Sequence, residues 1–195
     1  MKRALLLIIL LLGSTLLAVA DERGANRLER ISRYYSSMGN YALSFVLRGG
    51  GADERGELKV AGNSSYMRIA DTEVYVEDSL RYEVRKAAKE VVIDRADAYE
   101  KELLNPLNGF STVASNYDIV EKTIDGRVVV ELTPKKSGEV VCILTAADGQ
   151  SIAKVQYSTG QSAVEIEIKE CKKSVNSLPK FDKELYKGFE LIDFR

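Results

Sequence analysis

Period-two alternation dominates this chain. Between Arg127 and Lys169 the segments RVVVELTPK, EVVCILTA, SIAKVQYS and SAVEIEIK follow one another with short turns between them. Val128, Val130 and Leu132 alternate with Arg127, Glu131 and Thr133, and Val164, Ile166 and Ile168 alternate with Glu165, Glu167 and Lys169. Successive side chains of a strand point to opposite faces, so this pattern describes strands with one buried and one wet face. Asp125-Gly126, Asp148-Gly149 and Thr159-Gly160 stand at the joints and supply the positive-φ residues of tight hairpins. An antiparallel meander is expected. The earlier half keeps the same rhythm: Tyr41, Leu43, Phe45 and Leu47 share one face, and Gly56–Ala61, Ser65–Ala70, Thr72–Val76, Leu80–Val84 and Glu90–Arg95 continue the series.

Helical spacing interrupts it twice. Leu28, Ile31, Tyr35 and Met38 form an apolar stripe in ANRLERISRYYSSM, with Arg27, Glu29, Arg30 and Arg33 between them, and Gly39-Asn40 ends the segment. From Ala96 to Ser115, Leu103, Leu104, Leu107, Phe110 and Val113 gather at helical spacing, and Pro106 marks a helix restart. The closing residues Phe181 to Arg195 are rich in aromatic and aliphatic side chains, which predicts a tied-down final strand. The fold class expected is mainly β (α+β), with helices over an apolar face of a large antiparallel sheet. Such a face either closes into an ordinary core or, where the sheet is open and curved, keeps a cavity that a second molecule fills.

The first twenty residues read as a leader. Lys2 and Arg3 precede an apolar run from Ala4 to Leu12, and Ala18-Val19-Ala20 resembles a cleavage site before Asp21. An uncleaved anchor is the alternative. A signal peptide over 1–20 and one domain over 21–195 are therefore expected, in a protein exported across the inner membrane. The 28 basic and 29 acidic side chains nearly balance, with no basic cluster that suggests nucleic acid. Cys142 and Cys171 could bridge in an oxidising compartment, but a simple meander does not place them opposite each other.

The sequence contains no histidine, which excludes Ser-His and Cys-His nucleophilic mechanisms and His-containing zinc sites. No phosphate-binding loop, dinucleotide fingerprint or G-x-S-x-G sequence occurs, and no helix follows Gly49-Gly50-Gly51 to present its amides to an anion. The acidic pairs Asp71 with Glu73 and Glu77 with Asp78 read as solvated charge in turns. No catalytic residue, cofactor site or metal site is assigned, and a non-enzymatic role is expected.

Several phrases resemble the periplasmic outer-membrane lipoprotein carrier family (LolA), in a divergent Bacteroides-type form. They are GELKV at Gly56–Val60, KEVVIDRAD at Lys89–Asp97 leading to NPL at Asn105–Leu107, VELTPK at Val130–Lys135, and the ending FDKELYKGFELIDFR. The resemblance implies an antiparallel unclosed half-barrel, with helices covering its concave apolar face and a cavity for the acyl chains of lipoproteins. It implies a monomeric periplasmic chaperone without cofactors. Its partners would be acylated lipoproteins, an inner-membrane release transporter and an outer-membrane receptor.

On that reading Leu43, Phe45, Leu58, Val60, Met67 and Ile69 form the cavity wall, and Leu103, Leu104, Leu107 and Phe110 form the lid. The family's Arg-Pro latch is replaced by about Gly62-Asn63, with Arg68, Arg81 and Arg85 as substitutes to be weighed. Two other roles stay open. One is a fold-mate that binds lipid or senses the envelope without handing cargo on; the other is an enzyme acting on lipid or peptidoglycan.

Overall fold

A computed structural model describes residues 22–49, 51–96, 110–136, 139–159, 162–173 and 177–195. The expected leader over 1–20 and the expected lid residues Leu103, Leu104 and Leu107 lie outside the described residues.

Twelve strands form one continuous sheet. In chain order they are β1 (Tyr41–Arg48), β2 (Glu54–Ala61), β3 (Ser64–Ile69), β4 (Thr72–Glu77), β5 (Leu80–Arg85), β6 (Glu90–Arg95), β7 (Tyr117–Ile124), β8 (Arg127–Pro134), β9 (Val140–Thr145), β10 (Ile152–Thr159), β11 (Ser162–Lys173) and β12 (Glu190–Asp193). Their spatial order is β12-β6-β5-β4-β3-β2-β1-β11-β10-β9-β8-β7. Every contact is antiparallel except the edge pair β12–β6, which is parallel. Strands β7 and β12 stand at the two ends and do not pair with each other, so the sheet is an unclosed half-barrel. The turns explain the regularity. Asp125 and Gly126 both take positive φ, 50° and 74°, which gives the β7–β8 hairpin its two-residue turn.

Helix α1 (residues 22–38) packs on the concave side and buries Leu28, Ile31 and Tyr35, as its apolar stripe requires. It stops at Gly39, whose φ of 69° suits a helix C-terminus and whose amide donates to the Ser36 carbonyl. A short helix, α2 (Ser111–Asn116), leads into β7, and Phe110 and Val113 join the same core as α1. That core also holds Tyr41, Leu58 and Val60 with Ile119, Val130, Leu132, Val141 and Ile143 from the meander.

Two β-bulges bend the sheet beside α1. On β11, Ser44 faces Glu170 while Phe45 faces Ile168, which leaves Lys169 as the extra residue. On β10, Ile152 faces Thr145 while Lys154 faces Leu144, which leaves Ala153 extra. A bulge reverses the inward and outward parity of its strand. Ile152 and Cys171 therefore face the concave side together with Val155, Tyr157, Ile166 and Ile168. The cysteines are free. Cys171 lies opposite Leu43 on the concave face, whereas Cys142 lies opposite Glu131 and Gln156 on the convex face.

The closing segment forms a second layer. A single 3-10 turn, Lys183–Tyr186, and the aromatic residues Phe181 and Phe189 cover the convex face of β3–β6, before β12 extends the sheet edge. The tied-down final strand is present. The sheet, however, is covered on both faces, where the alternation pattern led us to expect cover on one.

Candidate functional site

An apolar cavity of about 280 Å³ lies on the concave side of the sheet. It sits where the central strands meet. Leu43, Phe45 and Leu47 enter it from β1 and Leu58 from β2, while Met67 and Ile69 enter from β3. Val155 and Tyr157 of β10, together with Ile166 and Ile168 of β11, make the opposite wall, and Ile152 joins them through the β10 bulge. The pairing register aligns them: Leu43 faces Leu58, Leu58 faces Met67, Leu47 faces Ile166, and Ile166 faces Val155.

Tyr35 and Tyr41 border the cavity where α1 turns back into β1. Their rings meet at 5.0 Å, and burial pushes both hydroxyls well above the ordinary tyrosine range. The Tyr35 hydroxyl accepts a hydrogen bond of 3.2 Å from the backbone N–H of Ile152, at the β10 bulge. The helix thus satisfies an amide beside the place where the strand ladder is interrupted. The side-chain polarity of the lining is confined to the hydroxyls of Tyr35, Tyr41 and Tyr157 and the Met67 thioether. No carboxylate or cation among the described residues lines it.

Of the wall residues expected from the sequence, Leu43, Phe45, Leu58, Met67 and Ile69 line this cavity. Val60, expected in the wall, and Phe110, expected in the lid, do not: both pack into the neighbouring closed core, Val60 with no exposed surface at all. The residues from β10 and β11 were missed. Of these only Ile152 owes its inward parity to a bulge, and the alternation of Val164, Ile166 and Ile168 was a usable signal for the rest.

The concave face changes character beyond the cavity. The register Met67–Val74–Glu83 carries it from an apolar wall to charge within two strands, about 10 Å. There Glu83 accepts from Arg81 and, at 2.7 Å, from Arg85, and Arg85 also lies 3.6 Å from Glu90. Burial works to raise the Glu83 carboxyl, but the two guanidinium groups outweigh it and hold it below its ordinary value. Arg68 points to the other, convex, face, where it pairs with Glu57 at 3.2 Å. It therefore cannot serve as a latch over the concave side, and the register corrects that expectation.

The convex side holds a polar network that the sequence reading placed in solvated turns. Glu73 is only 8% exposed. Its Oε1 accepts from Lys86 Nζ at 2.9 Å and from the Tyr66 hydroxyl at 3.2 Å, and its Oε2 accepts from Tyr186 at 2.8 Å and Tyr75 at 3.3 Å. Burial tends to raise the Glu73 carboxyl, but these donors reverse the direction, and it stays below the ordinary carboxylate range. Phe181 stacks on Tyr82 at 4.3 Å, and its backbone N–H donates to Glu77 at 2.7 Å. Glu73 and Glu77 thus hold the closing segment in place. Asp71 also has a structural role, since it accepts from the Ala87 amide.

No protein-family model and no curated protein sequence matches the chain. Solved structures do. An uncharacterized conserved protein from Thermus thermophilus superposes with a TM-score of 0.56 at 7% identity, over 87% of this chain and 98% of that one. The two chains share a fold. A putative outer membrane lipoprotein-sorting protein domain from Vibrio parahaemolyticus matches with a TM-score of 0.42 at 11% identity, over 86% of this chain and 97% of the domain. MucB, in the Pseudomonas aeruginosa MucA/MucB complex, matches at 18% identity with a TM-score of 0.47 over 85% of this chain. The match spans 61% of that longer chain.

Proposed function

We propose that this protein is a periplasmic lipoprotein carrier, which holds the acyl chains of its cargo in the concave cavity and moves them from the inner to the outer membrane. One observation supports this reading above the others: a walled cavity of about 280 Å³ whose lining is almost wholly hydrocarbon. An alkyl chain in such a site gains roughly 0.8 kcal/mol for each methylene removed from water. Among the described residues the lining brings no carboxylate or cation to a bound molecule, which favours carriage over chemistry. The partners on this reading are acylated lipoproteins, a release transporter in the inner membrane and a receptor at the outer membrane. The order of the phrases shared with the carrier family supports the same assignment.

Spheroplast release tests it. The protein, incubated with spheroplasts of its host, should bring newly made lipoproteins into the soluble fraction as a one-to-one complex. Met67→Glu puts a carboxylate in the wall and should abolish release while circular dichroism shows an intact sheet. Recovery of free lipid without lipoprotein would instead favour a lipid-binding role without transfer. Release by Met67→Glu equal to that of the wild type would remove the cavity from the explanation.

A further inference from the structure

The outer flank of α1 carries a second feature, unrelated to the cavity. Arg23, Arg27, Arg30 and Arg33 follow one another at intervals of four and three residues, which aligns them along one side of a helix. Two adjoining hollows of about 290 Å³ each lie along them. One is lined by Arg27, Arg30 and Arg33 with Asp148, Gly149 and Gln150 from the turn after β9; the other by Arg23, Asn26, Arg27, Arg30 and Glu121. Arg27 and Arg30 belong to both, so the hollows adjoin as one groove, with the helix along one side and the turn after β9 and then Glu121 of β7 along the other.

The charges in this groove are unequally used. Arg27 is fixed, by Glu121 at 2.9 Å and by the Gly149 carbonyl at 2.8 Å. Asp148 offers little to the arginines. Its oxygens accept from the amides of Gln150 and Ser151, both at 2.8 Å, and from the Ser151 hydroxyl at 2.7 Å, so it caps its own turn. Arg33 pairs with Glu29, at 2.7 Å, and both side chains are more than half exposed, which makes that pair weak and easily exchanged. Arg23 and Arg30 have no ion pair among the described residues, and both are exposed. Each hollow therefore presents three guanidinium groups and one committed carboxylate, on a chain whose net charge is −1.

We propose that this groove docks an acidic, extended segment of a partner protein. Guanidinium groups bind carboxylates through paired, charge-assisted hydrogen bonds, and a row of them at helical spacing matches successive acidic side chains of an extended strand. The groove form favours a chain over a bilayer surface. Its arginines line one side of a hollow that a narrow segment can enter. The match in charge sign fixes the encounter and its specificity more than its final affinity.

Fluorescence anisotropy with the full chain tests the proposal. The probe is a fluorescein-labelled oligoglutamate peptide at low salt, with an oligoglutamine peptide as its neutral twin. The oligoglutamate should bind and the oligoglutamine should not, and added salt should weaken binding. Arg30→Glu should reduce affinity by about tenfold or more, whereas Arg127→Glu, a charge reversal at the start of β8, should leave it unchanged. Equal loss in both variants would show a general charge effect and overturn the groove. Binding of phosphatidylglycerol vesicles with no binding of the peptide would overturn it in favour of a membrane surface. Uptake of an acylated ligand by the Arg30→Glu protein should be unaffected, which separates this test from that of the cavity.

Discussion

The ring of Phe45 lies across Gly56, its partner on the neighbouring strand, so closely that a Cβ built at Gly56 would stand 2.3 Å from Cζ of the ring. The glycine gives the ring its seat in the cavity wall. Any side chain at position 56 must drive Phe45 inward, because the Arg68 carbonyl closes the other side at 3.0 Å. Gly56→Val should therefore shrink the cavity from within. Overpacking of this kind costs about 1–3 kcal/mol, and urea denaturation would measure it. An acylated probe should bind the variant at least about tenfold more weakly. Full-strength binding would place the ligand elsewhere.

Truncation of the same ring acts in the opposite sense. Phe45→Ala enlarges the cavity and should destabilise the protein by roughly 3 kcal/mol or more, as other buried aromatic truncations do. An acylated ligand that fills the new space should recover part of that loss, read as a larger rise in Tm on ligand addition than the wild type shows.

The contact between Tyr35 and the Ile152 amide ties α1 to the β10 bulge. Tyr35→Phe keeps the ring and removes the acceptor. A loss of about 1 kcal/mol is expected, with faster hydrogen exchange at the Ile152 amide than at its neighbours in β10. Unchanged exchange there would mean that the amide does not depend on the hydroxyl.

Acid should loosen the closing segment before it unfolds the sheet. The folded Glu73 carboxyl is held below its ordinary value by Lys86 and the tyrosine hydroxyls, against the upward push of burial. A lowered folded pKa contributes stability that is complete above the unfolded value, about 4.3, and is lost as pH falls through the folded one. Stability of the wild type should thus fall steeply below about pH 4, and Glu73→Gln should flatten that fall. Denaturant midpoints across this pH range measure the difference between the two proteins.

Much of the fold was legible because alternation is a local signal. Each strand from β1 to β11 carries its own inward set, and the turn residues separate them. What alternation does not encode is parity after a bulge, which is why Ile152 was absent from the expected wall. It also does not encode that β11 pairs with β1, which brings Ile166, Ile168 and their neighbour Val155 to that wall. Nor does it reveal which closed patch neighbours a cavity: Val60 continues the face of Leu58, yet packs solidly under α1. Glu73 was misread for a related reason. A carboxylate on the polar face of a strand looks solvated until a distant aromatic segment, here Phe181 to Phe189, covers it. The recurrence of Tyr66, Tyr75 and Tyr82 at facing positions of three adjacent strands was the signal for that cover.

The most direct test of the proposed function is a titration of the full chain with a synthetic triacylated lipopeptide and its unacylated twin, followed by calorimetry. One-to-one binding of the acylated form alone is expected, and Met67→Glu should weaken it by about tenfold or more. Equal affinity for both peptides, or equal affinity of both proteins for the acylated one, would contradict a cavity that carries acyl chains.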